Sequence, residues 1–249
     1  MALSDELKTL NNAFSGLGVD ENAGMMTVVT LLKHEFMRFI KNAVVLWAMH
    51  PWERDARLVK EAMKKGPEVY GVIVEIACTR SSEELLGARK AYHSLFDHSI
   101  EEDAAYHIDG PESKLLVALV SAYRYEGAKD TISTRSKPHL QEVYKHYREI
   151  SGHNIDEDLD ADLRLKETVQ CLCTPQTYFS KVLEVALRND VDKNTKKGLT
   201  RVIVTRADID MKQIKEEYQN QYGDSLSNKI EETANGNYKD FLLTLVARA

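Results

Sequence analysis

The chain of 249 residues is poor in turn-forming residues, with 12 glycines and 5 prolines. Sandwiches and barrels of many short strands need frequent turns, so this scarcity argues against them. The longest apolar runs, residues 43–49 and 115–120, fall far below the ~20 residues that span a bilayer. The first residues also lack a basic segment followed by an apolar one, so we expect no secretory signal.

Cysteines are few as well, and positive charge is not in excess. The three cysteines (Cys78, Cys171 and Cys173) are an odd number in a long chain, which does not fit a disulfide scaffold and suits a reducing compartment. Lys and Arg total 33 against 39 Asp and Glu, a net charge of −6, so no nucleic-acid partner is expected. A hydrophobic content of 43% with 29% charged residues excludes wholesale disorder. These features predict a cytoplasmic protein.

Three segments repeat one pattern around an arginine: Arg80, Arg135 and Arg206. Each arginine follows a threonine, and each is followed after twelve residues by a tyrosine (Tyr92, Tyr147 and Tyr218). Apolar residues recur within each copy at a spacing of three or four, which predicts helices. Further apolar helices are predicted at 35–49, 114–125, 166–172 and 239–246. The pattern indicates an all-α protein built from several multi-helix repeats.

These repeats resemble the repeats of annexins. The similar features are the Thr-Arg-Ser helix start at 79–81, the later tyrosine, and the stretch Gly-Asn-Tyr-Lys-Asp-Phe-Leu-Leu-Thr-Leu at 236–245. Residues 51–58 resemble plant annexins in particular. The resemblance implies an all-α, four-repeat, right-handed helical disc that binds anionic phospholipid head groups through calcium on its convex face. The four repeats would span 4–62 (truncated), 63–127, 128–187 (truncated at its start) and 188–249.

The length is short for four such repeats, which need about 300 residues or more. Arg80 and Arg135 are 55 residues apart, whereas Arg135 and Arg206 are 71 apart. The linker and first helix of the third repeat are therefore expected to be missing near 130–131, and the middle helices of the first repeat near 24–25. A natural deletion, alternative splicing and omission of residues from the sequence as written all stay open.

The resemblance implies a calcium site made of a Gly-x-Gly loop and an acidic residue from the next interhelical loop. Glycine allows the backbone conformations that such a loop requires. In the first repeat the implied ligands are the carbonyls of Phe14, Gly16 and Gly18 and the carboxylate of Glu35. The alternative is a helix cap with a solvated Glu35. A real gap near 24–25 would put Glu35 out of reach of the loop.

The other repeats match this site less well. The second lacks the loop, and His107 stands at its acidic position; imidazole is a poor ligand for a hard cation, so no standard site is expected. The third has a run of acids at 156–162 that fails the EF-hand pattern. The fourth has lost the glycines but keeps Glu232, so a weak, non-standard calcium site is predicted there. Its loop also carries lysines that could contact phosphates directly (Lys193, Lys196 and Lys197).

The predicted function is therefore that of a binding module and not an enzyme. No phosphate-binding loop is expected, because Gly66 and Gly71 are not followed by Lys and Ser or Thr. Calcium is the expected cofactor, and the anionic phospholipid surface is the expected partner, with cytoskeletal or self-association partners left open. The alternative is a calcium-independent annexin-fold scaffold or protein-interaction module with degenerate calcium loops.

Overall fold

The computed structural model describes residues 35–108, 111–121, 137–155, 157–159, 162–188 and 190–248. Every regular element in these ranges is helical, which confirms the predicted all-α class. None of these helices is long and apolar enough to cross a bilayer. The α-helices are α1 (Glu35–Ala48), α2 (Pro51–Lys65), α3 (Gly71–Thr79), α4 (Ser82–Phe96), α5 (Ile100–His107), α6 (Pro111–Val120), α7 (Lys137–Ser151), α8 (Leu163–Cys173), α9 (Pro175–Ala186), α10 (Lys193–Arg206), α11 (Met211–Tyr222), α12 (Leu226–Thr233) and α13 (Gly236–Ala247), with a 3-10 helix at Pro67–Val69.

Local sequence explains where several helices begin and end. At α4 the Ser81 hydroxyl accepts from the Glu84 backbone N–H at 3.2 Å, while the Glu84 carboxylate accepts from the Ser81 N–H at 2.8 Å. This reciprocal cap satisfies two backbone donors that have no partner within the helix. The α11 helix ends at Gly223, whose φ of 75° is a left-handed conformation that favours glycine.

Two sets of five helices pack in the same way. We call α2–α6 unit A and α9–α13 unit B. The first helix of each unit packs on the second and third, and the fourth packs on the fifth. The boundaries predicted at residues 63 and 188 lie inside α2 and after α9, so we propose that each unit begins one helix earlier.

The remaining helices connect these units. The α1 helix packs on α10 and α13 of unit B, while α8 packs on both α3 of unit A and α9 of unit B. A buried ion pair also joins the units, because Arg201 donates to both carboxylate oxygens of Glu75 at 2.8 Å. Glu75 is 5% exposed, and Tyr178 donates to it at 3.3 Å. The two units therefore share one continuous core.

The arginine of the repeated Thr-Arg pair packs against the first helix of its unit in both units, but it contacts a different kind of side chain in each. In unit A, Arg80 donates to both oxygens of Asp55, the fifth residue of α2, at 2.5 and 2.9 Å. Phe179 is the fifth residue of α9, and the Arg206 guanidinium lies 4.8 Å from the centre of its ring. Arg206 takes its carboxylate from Asp210 instead, at 2.6 and 2.7 Å. In unit B an aromatic ring therefore stands where unit A has the acid. Asp210, four residues after Arg206, supplies the negative charge that balances the guanidinium.

Candidate functional site

The interhelical loops of both units meet on one face of the molecule. The loop after α2 contacts the end of α5, because the Tyr70 hydroxyl donates to the His107 carbonyl at 3.0 Å. It also contacts α8, because Arg164 donates to the Pro67 carbonyl at 2.9 Å. A cavity of about 310 Å³ has Arg164 and Asp192, from the loop before α10, in its wall. We call the surface formed by residues 66–70, 107–108, 162–164, 187–188 and 190–192 the loop face.

In unit A, a tyrosine joins the two loops that would have to share an ion. Tyr70 is 3% exposed and crosses from the first loop to the His107 carbonyl. The imidazole Nδ1 of His107 lies 2.9 Å from the carbonyl of Asp103. A tyrosine hydroxyl therefore satisfies this loop carbonyl. Tyr106, the seventh residue of α5, stands where unit B has Glu232, the seventh residue of α12, so this position also carries no carboxylate.

In unit B, the corresponding place is open. A cavity of about 440 Å³ separates the loop after α9 from the end of α12. Three carboxylates line this unit B cavity, together with two cationic side chains and Thr233: Glu184, Asp190, Glu232, Arg188 and Lys229. Glu232, singled out from the sequence, thus lines the same cavity as Asp190 of the loop between α9 and α10.

The individual acids differ in how free they are to bind a cation. Asp192 caps α10 and accepts from the Asn194 and Thr195 backbone N–H groups at 2.6 and 3.2 Å and from the Thr195 hydroxyl at 2.6 Å. The hydrogen bonds from Thr195 lower the pKa of Asp192 the most. Glu232 keeps a 60% exposed side chain and accepts from Lys229 at 3.2 Å. Asp190 and Glu232 are therefore the two exposed acids that line the unit B cavity.

Carboxylates alone do not complete a metal site there. Among the residues that the structure describes, no three His, Cys, Asp or Glu side chains are gathered tightly enough to hold a metal ion. Calcium takes 6–8 oxygen ligands, which include carbonyls and water as well as carboxylates. The unit B cavity fits a calcium ion only if loop carbonyls, water or a bound ligand supply the other oxygens.

The best sequence match to a calcium loop lies elsewhere. Phe14, Gly16 and Gly18 lie outside the described residues. The backbone of Glu35 begins α1, but its side chain also lies outside them. This ligand set therefore stays a prediction.

Glu184 of the unit B cavity was not among the residues singled out from the sequence. Glu184 accepts from the Tyr218 hydroxyl at 2.7 Å, and burial together with this carboxylate raises the pKa of Tyr218. In unit A the matching Tyr92 donates to Asp103 instead. The tyrosines recur at one spacing in the sequence, but their acidic partners come from different helices. Only the packing of the units identifies Glu184.

Sequence comparisons agree with the two units. A model of the annexin family matches residues 54–119 and 178–245, which fall within α2–α6 and α9–α13. Annexin D4 of Arabidopsis thaliana is 47% identical over 319 aligned positions that cover all of both chains. Annexin Gh1 of Gossypium hirsutum is 35% identical over 302 positions, covering 98% of this chain and 95% of that protein.

The alignment with Annexin D4 also bears on the length. It runs over 319 positions, whereas this chain has 249 residues, so at least 70 positions have no residue here. Both chains are covered from end to end, so these gaps are internal. That supports the interpretation that internal segments of the repeats are missing.

Solved structures share the fold. Annexin III superposes with a TM-score of 0.74 at 22% identity and covers 98% of this chain and 93% of its own. Chicken annexin V superposes with the same TM-score at 23% identity, covering 97% and 94%. A structure titled calcium-bound annexin (Sm)1 has a TM-score of 0.71 at 17% identity, covering 98% of this chain and 89% of its own. The loop-bearing helical units are therefore arranged as in solved annexins.

Proposed function

The chain belongs to the annexin family, and from that premise we propose that it binds anionic phospholipid membranes through calcium. Annexins in general bind phospholipid in a calcium-dependent way and are not enzymes. The observation that carries the proposal for this chain is the unit B cavity, where Asp190 and Glu232 face open space. At the matching place in unit A, the Tyr70 hydroxyl binds the loop carbonyl instead.

Charge explains why a cation is needed. A protein with a net charge of −6 is repelled by an anionic leaflet, which attracts basic segments by about 1 kcal/mol per Lys or Arg. A divalent cation reverses the local sign and attracts phosphate oxygens. When bound, calcium would be held by Asp190 and Glu232 and would leave coordination positions for lipid phosphate. Arg188 and Lys229 in the same cavity would hold the phosphate by direct hydrogen bonds.

Co-sedimentation with vesicles of phosphatidylserine and phosphatidylcholine tests the proposal. We expect the protein to pellet in calcium and to stay in solution when a chelator is added. The substitution Glu232→Gln should raise the calcium concentration needed for half-maximal pelleting by about tenfold. Glu231→Gln is the matched control, because Glu231 is the exposed neighbour and does not line the cavity. Equal pelleting in calcium and in chelator would refute the calcium bridge.

The site predicted in the first repeat needs its own variant. Glu35→Gln should weaken binding in the same assay if that loop and Glu35 act together. An effect of Glu35→Gln without an effect of Glu232→Gln would assign calcium to the first repeat. The opposite pattern would assign it to unit B.

A calcium-independent scaffold is the second candidate. It is favoured by the two loop positions that the protein itself already satisfies, the His107 carbonyl bound by Tyr70 and Asp192 engaged in capping α10. Isothermal calorimetry with calcium alone separates the candidates. No heat, together with unchanged membrane recruitment of Glu232→Gln and Glu35→Gln, would favour the scaffold. In either case we propose a cytoplasmic protein that associates with membranes peripherally.

A further inference from the structure

The sequence Asn235-Gly236 lies in unit B between α12 and α13. Asn235 lines a cavity together with Leu187 and Arg188 of the loop face. Asn235 is exposed and its side chain makes no capping hydrogen bond to α13. Its backbone is extended, with φ −132° and ψ 156°, and Gly236 follows with a φ of 57°. The first backbone N–H groups of a helix have no acceptor within it, and glycine has no Cβ to obstruct its own nitrogen.

We propose that Asn235 is a spontaneous deamidation site through which unit B gains a carboxylate. The Gly236 backbone nitrogen loses its proton and bonds to Cγ of Asn235, and the Cγ–Nδ2 bond breaks to release ammonia. Water then opens the five-membered imide. Cleavage of the bond to Cγ gives aspartate, and cleavage of the bond to the main-chain carbonyl carbon gives isoaspartate. Water is the only co-reactant, and both products carry one additional negative charge.

The new charge would appear beside the proposed cation site. Asn235 lines a cavity of about 250 Å³ that shares Leu187, Arg188 and Thr233 with the unit B cavity. The effect on membrane binding rests on the proposed function. A carboxylate added close to a divalent cation attracts it, so we expect the affinity for that ion to rise several-fold. Deamidation would therefore act as a slow, one-way increase in calcium sensitivity.

Two other asparagines in the described part of the chain lack this combination. Asn228 lies inside α12, precedes Lys229 and donates through Nδ2 to Asp224 at 3.0 Å. Asn154 donates through Nδ2 to Glu157 at 3.0 Å and precedes Ile155. A held amide and a side chain on the next residue both hinder formation of the imide. Asn228 thus serves as an internal reference within the same protein.

Peptide mass spectrometry tests the modification without any binding assay. The folded protein is incubated at mildly alkaline pH, digested at intervals and analysed for conversion of amide to acid. A protein carboxyl methyltransferase with labelled methyl donor then counts isoaspartate. We expect conversion at Asn235 well before any at Asn228. An Asn235 amide that outlasts that of Asn228, or that persists in the fold while the same synthetic peptide converts, would overturn the proposal.

Two fixed variants test the consequence. Asn235→Asp supplies the product carboxylate, and Asn235→Gln keeps an amide that does not readily form the imide. In the vesicle assay we expect Asn235→Asp to need several-fold less calcium than Asn235→Gln. Equal calcium requirements, in a protein where Glu232→Gln is impaired, would overturn the regulatory effect. If Glu232→Gln is also unimpaired, the unit B cation site fails, while mass spectrometry still decides the modification.

Discussion

Asp103 provides a test of the charge balance inside unit A. Its side chain is buried, with 7% of the residue exposed, and it accepts from the Lys60 ammonium and the Tyr92 hydroxyl. Burial acts to raise the pKa of Asp103, but the hydrogen bonds from Lys60 and Tyr92 outweigh it, and the pKa lies below its ordinary value. The carboxylate is therefore ionised, and its Oδ2 atom accepts from both donors.

We predict that Asp103→Ala lowers the free energy of unfolding by about 3–5 kcal/mol, because it leaves a buried charge without its partner. The Lys60 side chain is only 16% exposed, and Tyr92 is fully buried, so water replaces the lost carboxylate poorly. Asp103→Asn keeps an acceptor and should cost less, about 1–3 kcal/mol. Urea unfolding followed by circular dichroism measures both variants.

Unit B supplies the matched control, because the positions that correspond to Lys60 and Asp103 carry the opposite charges there. Lys60 is the tenth residue of α2 and Asp103 the fourth of α5. Glu184 is the tenth residue of α9 and Lys229 the fourth of α12. Tyr218 donates to Glu184, and the pKa of Lys229 is raised chiefly by Glu232 and in part by Glu184.

The exchanged double variant Lys60→Glu with Asp103→Lys should therefore recover most of the stability that each single change loses. We expect it to lie within about 2 kcal/mol of the parent, with a coupling energy of roughly 1–3 kcal/mol between the sites. The reasoning is refuted if Asp103→Ala costs less than about 1 kcal/mol. It is also refuted if the double variant is as unstable as the sum of the two single variants.

Three further predictions address packing, pH and thiol chemistry. A Cβ at Gly87 would lie 2.3 Å from the Trp52 ring, so Gly87→Ala should destabilise the protein by about 1–3 kcal/mol, and Trp52→Ala in the same chain should remove part of that penalty in thermal melts. The Asp158 carboxylate raises the pKa of His153; because the folded pKa lies above the unfolded one, the contact stabilises the fold at mildly acidic pH and loses its effect as the pH rises through the folded pKa. An NMR titration should show the midpoint of His153 returning toward its ordinary value in Asp158→Asn, and an unchanged midpoint would contradict this. Burial, followed by its contact with a neighbouring buried thiol, raises the pKa of Cys171, so it should react with a thiol reagent only after unfolding.

Much of the fold could be predicted because its signals are local. The predicted helices at 35–49, 166–172 and 239–246 match α1, α8 and α13, since apolar spacing along a helix is visible in a short window. The start of α4 was also predictable, because Ser81 and Glu84 satisfy backbone donors within their own turn. The repeated Thr-Arg pairs indicated the repeats and thereby the family.

The tertiary structure alone decided which loop borders an open cavity and which residues pair with each other through hydrogen bonds. Tyr70 and the His107 carbonyl are 37 residues apart, and no local pattern indicates that a hydroxyl of one would satisfy the other. Glu184 and Asp103 each accept a hydrogen bond from the repeated tyrosine of their own unit, but the two acids lie on different helices of the unit. Each buried tyrosine needs an acceptor, and either neighbouring helix can provide it. Sequence therefore determined the helices and their repetition, through interactions within a few residues. Packing determined the candidate site, because the cavity exists only where two loops that are distant in sequence come together.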